Sequence, residues 1–457
     1  MMKKFFKTVA MAIAAVAMLT GLASCNNDDL GQAPESLKTR AIVTIPHNTV
    51  ISANTTWSST NEYILEGKVY VDSLATLTIQ PGTVIKGTYN SNPYLASALV
   101  VTRGAKINAA GTATNPIIFT AQNGQIGGWG GLVLLGRAPI NQPDQLIEGI
   151  DPAQTDIPSD VNVYYGGGGA GSGDSLDNSG VLQYVRVEFA GASISTANEL
   201  NAFTFGGVGK GTTLDHLQAY YGNDDSFEFF GGNVNAKYLV STSPNDDNFD
   251  FDFGYTGKIQ FAVATADPNA AYSSDPNGIE CDNDGSGSGA TPFTHPVLSN
   301  LTIVGTSNGQ IAEGGDSNNP GYLLAGARFR RNTQYTLVNS IVYGYPTGVW
   351  DDTSNSHRFQ YNVVWGVSTA YLDFPAGEPD STNNAVANAS SIILTSPFGD
   401  YYNSNALKPT GNPALTGANF TGLDMSFFTT TTYKGAIATG VANAWIRDPW
   451  VNKNFPL

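Results

Sequence analysis

The stretch Asn223-Asp224-Asp225-Ser226-Phe227-Glu228-Phe229 returns 22 residues later as Asn245-Asp246-Asp247-Asn248-Phe249-Asp250-Phe251. The related triplet Phe203-Thr204-Phe205 stands 24 residues before the first copy, and residues 337–344 match residues 359–366 at an offset of 22. Gly, Asn and Pro turns separate these short β-rich runs, and no amphipathic helical period of useful length interrupts them. A repeat of about 22 residues with two or three strands and no helix is typical of one coil of a parallel β-helix.

The predicted fold class is therefore all-β: a single-stranded right-handed parallel β-helix with long loop insertions and a C-terminal cap. A β-sandwich or a propeller is the alternative, but propeller blades have periods of about 40–50 residues. Insertions are expected at 140–180, 266–296 and 306–322, where the period is interrupted. The predicted organisation is a signal peptide at 1–24, a tether and N-terminal cap at 25–60, the β-helix at 61–374 and a cap region at 375–457.

The composition excludes several classes of function. Charged residues make up 13% of the 457, about half of what is usual, and apolar residues at 41% are enough for a large core, so a disordered chain is not expected. With 38 acidic and 22 basic residues the formal charge is −16, and such a chain repels nucleic acid. After residue 24 no run approaches 18 consecutive apolar residues, so no membrane-spanning helix is predicted.

The first 25 residues have the pattern of an export signal. Three lysines precede the apolar stretch 8–19, which is too short to span a bilayer. The following Leu22-Ala23-Ser24-Cys25 resembles the lipobox of bacterial lipoproteins, and this resemblance implies that Cys25 is acylated and held in outer-membrane lipid. Residues 26–29, Asn-Asn-Asp-Asp, resemble the acidic signal that sends Bacteroidota lipoproteins to the cell surface. The alternatives are an ordinary secretory peptide and a solvated tether.

An acidic column is the most specific feature of the repeat. The phenylalanines of each Phe-x-Phe strand face inward, so Glu228 and Asp250 should face outward, one above the other and about 5 Å apart. Asp252 continues the alternation, and the next coil is expected to add Glu280. Four aspartates should stack at the turn that leads into these strands: Asp224, Asp225, Asp246 and Asp247.

Like charges on neighbouring strands repel, so this column needs a bound cation, raised pKa values or nearby arginines. Arg328 and Arg330 flank a phenylalanine and would supply positive charge if their coil shares the face. The functional interpretation is a calcium-binding or ligand-binding face. The structural alternative is a solvated outer face with turn-favouring Asp and Asn.

A second candidate calcium site is Asp282-Asn283-Asp284-Gly285-Ser286-Gly287, whose oxygens alternate at positions one, three and five. Position twelve is Phe293 rather than an acid, so this is not an EF-hand, and a flexible glycine-rich loop is the alternative. The four histidines lack zinc-site spacing. Cys281 is predicted to be a buried small hydrophobic residue rather than a reactive thiol.

Parallel β-helices include polysaccharide-cleaving enzymes, which have recognisable sites. A pectate-lyase-like site needs calcium carboxylates and an outward arginine as base. The aspartate pairs, Glu228 and Asp250 are candidates for the former, and Arg328 or Arg330 for the latter. A polygalacturonase-like site needs Gly-His-Gly and Arg-x-Lys after paired aspartates, and the chain has neither motif. Neither pattern is met beyond loosely matching carboxylates, so no catalytic residue is predicted.

Three phrases, at 78–87, 128–132 and 432–436, resemble a group of Bacteroidota β-helix surface lipoproteins that have no assigned catalysis. The resemblance implies a non-catalytic, surface-exposed, ligand-binding lipoprotein, accessory to a nutrient importer of the TonB-dependent kind and its lipoprotein partner. The alternative is a calcium-assisted polysaccharide lyase or glycosidase on the same scaffold. Calcium is the one cofactor expected, and nucleic acid is not expected as a partner.

Overall fold

The computed structural model describes residues 40–72, 74–153, 156–195, 198–353, 355–386, 398, 407–438 and 445–454. The predicted signal peptide, the lipobox with Cys25 and the acidic residues 26–29 lie outside the described residues. The described residues from 40 onward belong to one compact unit. No helix in the described ranges is long and apolar enough to cross a membrane.

The chain winds into a parallel β-helix with three faces, which confirms the predicted fold class. Each coil contributes one strand segment to each face, and every pairing between successive coils is parallel, as in Phe227↔Phe249 and Leu217↔Leu239. The extended backbone follows from short runs of β-branched and aromatic residues between turn residues. Strands buried on both sides require such apolar runs, and several strands are buried throughout.

Face 1 is formed by β1 (Ala41–Ile45), β4 (Asn61–Leu65), β7 (Val84–Gly87), β10 (Ile117–Ala121) and β30 (Asn384–Ala385). Face 2 is formed by β2 (Thr49–Ile51), β5 (Lys68–Val71), β8 (Ala98–Val101), β11 (Gly131–Leu135), β17 (Phe203–Gly206), β19 (Phe227–Phe230), β21 (Phe249–Asp252), β23 (Glu280–Cys281) and β25 (Ala325–Phe329). Face 3 is formed by β3 (Thr55–Trp57), β6 (Thr76–Ile79), β9 (Lys106–Ala110), β26 (Tyr335–Val338) and β28 (His357–Gln360).

Seven longer strands turn a corner and serve two faces. Five of them continue from face 3 into face 1: β14 (Gly180–Glu188), β18 (Thr213–Tyr220), β20 (Asn235–Thr242), β22 (Lys258–Thr265) and β24 (Val297–Val304). Two continue from face 1 into face 2: β27 (Ile341–Asp351) and β29 (Val363–Leu372). Two antiparallel pairs lie in the insertions, β12 (Gln145–Leu146) with β13 (Tyr164–Tyr165) and β15 (Ser193–Ser195) with β16 (Asn198–Glu199). The 3-10 turns are Pro93–Leu95 and Trp445–Arg447.

The corner between faces 3 and 1 is a single residue with positive φ. In four successive coils this residue is an aromatic or histidine side chain: Tyr184, His216, Tyr238 and Phe261 have φ between 49° and 63°. Non-glycine residues rarely adopt this conformation. The four rings stack on one another, with His216 4.4 Å from Tyr184 and 4.3 Å from Tyr238, and this stacking stabilises the corner.

The core confirms the repeat that the sequence predicts. Phe203, Phe227 and Phe249 stack inside face 2 with ring centroids 4.9 Å and 5.5 Å apart. Phe205, Phe229 and Phe251 form a second stack beside the first, at 5.0 Å and 5.3 Å. Because identical side chains occupy the same inward position in successive coils, the core is continuous along the axis.

The described parallel stack extends beyond 61–374 at both ends. β1 pairs with β4, so the first coil begins at Ala41, inside the region expected to be tether and cap. β29 pairs with β30, so the stack reaches Ala385. The first strands are short and half-exposed, and their weak apolar pattern explains why the sequence did not reveal them.

Within the described residues, the C-terminal segments 407–438 and 445–454 contact the flank of the coils. Trp450 packs edge-on against His216, and Trp445 against Tyr238, at centroid distances of 5.5 Å and 5.3 Å. The Nδ2 atoms of Asn300 and Asn339 donate hydrogen bonds to carbonyls of Tyr433 and Asn419. The segment therefore covers the positive-φ corner over many coils, and its tryptophans bury that corner.

We expect Phe249→Ala to lower the free energy of unfolding by about 3–5 kcal/mol, because the ring is 1% exposed and its loss leaves a cavity between two stacked neighbours. Urea denaturation checks this. Tyr164→Ala, at a 42% exposed ring, is the control and should change the free energy by about 0.5 kcal/mol or less. A cost for Phe249→Ala no larger than that of the control would contradict the continuous core.

Candidate functional site

The outward residues of face 2 form one column in strict register along the axis. Its first half is apolar and its second half is polar, as successive pairings show: Val50, Tyr70, Val100, Val133, Thr204, Glu228, Asp250, Glu280, Arg328 and Trp350. Glu228 and Asp250 therefore stand on neighbouring rungs, and Glu280 follows, as the offset of 22 residues predicts. Arg328 shares the face, as the prediction required.

The insertion after β11 covers the apolar half of this column. Ile140, Ile147 and Val163 pack on Val100 and Val133 in a second hydrophobic cluster outside the β-helix. Tyr165 is 1% exposed and fits against β17 because residue 206 is glycine; a Cβ there would lie 2.6 Å from the Tyr165 ring. The acidic residues begin where this cover ends, and they are half-buried or buried rather than fully exposed; we call the place they occupy the recess.

Five carboxylates form what we call the acidic cluster: Asp224, Asp225, Glu228, Asp246 and Asp250. Carboxylate oxygens of Asp224, Asp225 and Asp246 lie within 4.8 Å of one another, and so do those of Asp225, Glu228 and Asp250. Asp225 belongs to both groups and joins the turn to the strand column. Two such groups offer only oxygen ligands, which suits a hard divalent cation.

Side chains that bridge successive coils hold the turn in place. The Asp225 amide donates to Asn201 Oδ1 at 3.2 Å, and the Asp247 amide donates to Asp225 Oδ1 at 2.8 Å. The Asn277 amide in turn donates to Asp247 Oδ1 at 2.5 Å. Asp247 is thus used to connect coils and joins neither group of three. Asp225 connects coils through its Oδ1 atom and also belongs to both groups of three.

Burial raises the pKa values of Asp224, Glu228 and Asp250 well above the usual carboxyl range, and the neighbouring carboxylates raise them further. The same two causes raise the pKa of Asp225, and burial raises that of Asp246. Each proton kept by these groups relieves repulsion that a cation would relieve equally well.

Two acids from separate insertions, Glu148 after β11 and Glu199 after β14, add to this negative field. Glu148 and Glu199 are close enough to the cluster to contribute to the raised pKa of Asp224. In the described part of the chain, neither they nor the five cluster carboxylates form an ion pair with lysine, arginine or histidine. The recess therefore holds seven acids without a paired base.

The predicted arginines are on the face but serve other acids. Arg330 donates to Glu280, and its Nε donates to Asp282 at 2.9 Å. Arg331, which the sequence reading did not single out, donates to Asp282 at 2.7 Å. Arg328 instead stacks on Trp350, 4.3 Å from the ring centroid. The arginines therefore contact residues at the end of the column and form no ion pair with the acidic cluster.

Two buried oxygens at the cluster have no hydrogen-bond partner among the described residues. They are Asp250 Oδ1 and Thr204 Oγ1. Thr204 is 0% exposed and lies in register with Glu228, on the side of the column opposite Asp250. An unpaired buried oxygen costs about 1–3 kcal/mol, so the arrangement favours a bound group that supplies the missing interaction.

The remaining predicted site residues lie outside the two groups. Asp252 faces the same side as Asp250, and its Oδ1 accepts from the Phe253 amide at 2.6 Å. Asp284 accepts from Ser286 Oγ at 2.7 Å and from two amides of its own loop, so the loop uses its carboxylate. Asp282 is bound by the two arginines. The structure therefore does not bring Asp282 and Asp284 into either group of three.

Sequence reasoning missed Thr204, Glu148 and Glu199. The signal for Thr204 was present, because Phe203-Thr204-Phe205 is the same motif one coil earlier with a hydroxyl at the outward position. No comparable signal marks Glu148 and Glu199, since each comes from a different insertion and neither insertion has a repeat.

The fold and this recess define a parallel β-helix protein with an oxygen-only candidate cation site. The chain belongs to the family described as the pectate-lyase-like β-helix domain, which it matches over residues 49–401, more than half of its length. No curated protein matches the chain significantly. Membership accounts for the fold but leaves the chemistry to be argued from the site.

We expect the unfolding free energy of the cation-free protein to fall as pH rises above about 4, where the unfolded carboxyls lose their protons. The folded cluster, with raised pKa values, keeps its protons longer, so stability is lost as pH rises toward the folded pKa values. Urea titrations with chelator between about pH 5 and about pH 8 measure this slope.

The pair Glu228→Gln with Asp250→Asn should make that slope shallower, because two of the coupled groups no longer titrate. Asp160→Asn, at an exposed acid away from the cluster, is the control and should leave it unchanged. If the unfolding free energy changes with pH equally in the wild type and the double variant, repulsion within the cluster is not the cause of the slope.

Proposed function

We propose that the protein is a non-catalytic binding protein whose acidic cluster takes up a divalent cation. The observation that carries this is the pair of oxygen groups, each within 4.8 Å, with no base paired to them in the described chain. The unpaired Thr204 Oγ1 supports it independently, because it is a buried neutral oxygen on the rung next to Glu228. A cation in this recess would also coordinate oxygens of a ligand that enters from the open side.

Calcium is the ion that this donor set favours. Every available ligand is an oxygen, whereas structural zinc sites use thiolate and imidazole. Magnesium demands near-ideal octahedral geometry and keeps several waters, but calcium accepts six to eight oxygens in flexible arrangements. Carboxylates on adjacent rungs, whose spacing is set by the backbone, suit the more adaptable ion.

Calcium should raise the unfolding temperature of the wild type, by the equivalent of about 3 kcal/mol at a hundredfold excess over Kd. Glu228→Gln with Asp250→Asn should abolish the increase, while Asp160→Asn should retain it. Without calcium the double variant should be at least as stable as the wild type, because like charges about 5 Å apart cost roughly 1–3 kcal/mol. An unchanged wild-type melting curve, or an equal increase in the double variant, would contradict the cation site.

We further propose that the protein is anchored in outer-membrane lipid through Cys25 and faces the medium, as an accessory to a TonB-dependent importer and its lipoprotein partner. The support is the lipobox pattern at 22–25 and the acidic residues after it. Such a position would let the recess present its ligand to a neighbouring importer.

Cys25→Ala should move the protein from the membrane fraction to the soluble fraction, because acyl chains are its only predicted hold. Replacing Asp28 and Asp29 with Ala is the matched control: it should keep membrane association and reduce cleavage by added protease. Persistent membrane association of Cys25→Ala would refute acylation as the anchor.

A second candidate function is polysaccharide cleavage. Its support is that carboxylate oxygens of Glu228 and Asp250 lie within 4.8 Å, close to the separation of about 5–5.5 Å between the two acids of retaining glycosidases. Release of reducing ends or of unsaturated uronates from a glycan panel, lost in Glu228→Gln, would favour the enzyme. Binding without turnover favours the binding protein.

A further inference from the structure

A pocket of about 280 Å³ lies at the corner where face 2 turns into face 3. Arg103 follows β8 and Arg137 follows β11, so the two arginines stand on successive coils of this corner. The turn of the acidic cluster precedes β19 and therefore lies at the other edge of face 2. We call this cavity the arginine pocket, and its lining residues are Arg103, Arg137, Gly166, Gly167, Gly168, Gly173 and Asp174.

The guanidinium group of Arg103 is held through one nitrogen. Its Nη1 donates to Asp144 Oδ2 at 2.6 Å and to the Gly166 carbonyl at 2.9 Å. The Gly168 amide donates to the other oxygen of Asp144 at 2.5 Å, so both oxygens of this carboxylate are engaged. The Nε and Nη2 atoms of Arg103 make no hydrogen bond within the described residues. Asp144 thus orients the guanidinium group and leaves one of its two-donor edges open.

Arg137 supplies a second guanidinium group that no acid neutralises. Its side chain is exposed and forms no ion pair in the described part of the chain. Its Nη2 donates to the Arg103 carbonyl at 3.3 Å. The group lies against Gly104, where a Cβ would come 2.4 Å from Nη2. One hydrogen bond and this close approach position the group, and its other nitrogens remain available.

Glycines keep side chains out of the pocket. A Cβ at Gly167 would lie 2.2 Å from the Gly173 Cα, and one at Gly173 would lie 2.4 Å from the Arg137 carbonyl oxygen. Gly168 has a φ of 95°, which other residues rarely adopt. The Gly167 amide has no acceptor among the described residues. Backbone amides in such glycine-rich turns bind anions, so this amide adds a third donor group.

The one acid that lines the pocket is turned to a local use. Asp174 Oδ1 accepts from the Leu176 amide at 2.9 Å, which closes the turn of the loop. Among the described lining residues two are basic and one is acidic, so the pocket carries a net positive charge. This contrasts with the whole chain, whose formal charge is −16. The local excess of donors and positive charge fits an anion.

We propose that the arginine pocket binds a tetrahedral oxyanion, a phosphate group, between its two guanidinium groups and the Gly167 amide. Arginine binds carboxylates and phosphates through pairs of parallel hydrogen bonds. Here two arginines and an amide of a third segment supply more donors than the two oxygens of a planar carboxylate suit, whereas a phosphate presents oxygens in every direction. The cavity of about 280 Å³ has room for free phosphate or for a phosphate monoester. No part of this site depends on the cation proposed above.

Equilibrium dialysis against radiolabelled inorganic phosphate, and separately against radiolabelled glycerol 3-phosphate, tests this proposal. A chelator keeps calcium out, so that the acidic cluster takes no part. One site should saturate with a Kd of about 1 mM or below, and the compound that binds more tightly identifies the source of the phosphate group. Unlabelled sulfate, which is also tetrahedral, should compete, whereas acetate should compete at least ~tenfold more weakly.

Arg137→Gln should raise the Kd on the order of tenfold or more, because it removes one charged pair of donors. Arg137→Lys should restore only part of the affinity, since an ammonium group keeps the charge but not the planar fork. Lys106→Gln is the matched control. It removes one positive charge from an exposed residue in the strand after Arg103 that does not line the pocket, and it should change the Kd less than ~twofold.

Thermal melting of each variant shows that it is folded. The phosphate site is overturned if the folded wild type takes up neither compound saturably, if acetate competes as well as sulfate, or if Arg137→Gln and Lys106→Gln weaken binding equally. The cation proposal is tested separately, because calcium should stabilise Arg137→Gln as much as it stabilises the wild type. Loss of phosphate binding with calcium stabilisation retained assigns the phosphate to the arginine pocket.

Discussion

The parallel register of the coils is the constraint on which the rest of this molecule depends. Each strand pairs with the strand of the next coil at about 4.8 Å, so every side chain stands on its equivalent in the neighbouring coil. Inside the β-helix this places phenylalanine on phenylalanine, which stabilises the core. On the outer face the same register places carboxylate beside carboxylate, and their repulsion destabilises the folded protein. The same backbone geometry therefore creates both the core and the electrostatic demand at the site.

The surroundings of the cluster increase that demand. The insertion after β11 removes water from one side of the column, and the arginines of the later coils are bound to Glu280 and Asp282. Repulsion between two carboxylates about 5 Å apart amounts to roughly 1–3 kcal/mol, and each further neighbour adds to it. A site that keeps such acids together is either protonated or occupied by a cation. Stability and binding are thus coupled through the same five side chains.

The sequence predicts what repeats and misses what does not. The Phe-x-Phe offset was enough to predict the fold, the inward stack of phenylalanines and the neighbouring positions of Glu228 and Asp250. Residues that are one coil apart in the sequence lie side by side on paired strands. The offset did not predict Glu148 and Glu199, which belong to two insertions that have no period. It also did not predict that Trp445 and Trp450 lie on the flank, since nothing in a one-coil pattern says where a non-repeating segment packs. It did not predict the pairing of Arg330 with Glu280 either, because the insertions between these two residues interrupt the 22-residue offset.

The most direct test of this account is the number of protons released when calcium binds. Calorimetric titrations at one pH near 6, in buffers of different ionisation enthalpy, give that number without reference to stability. Because burial and neighbouring carboxylates raise the pKa values of the cluster, and a cation binds carboxylates without their protons, calcium binding should release protons from the wild type and fewer from Glu228→Gln with Asp250→Asn. Calcium binding with no proton release, or with the same release in both proteins, would contradict the claim that register-enforced repulsion makes this cluster a cation site.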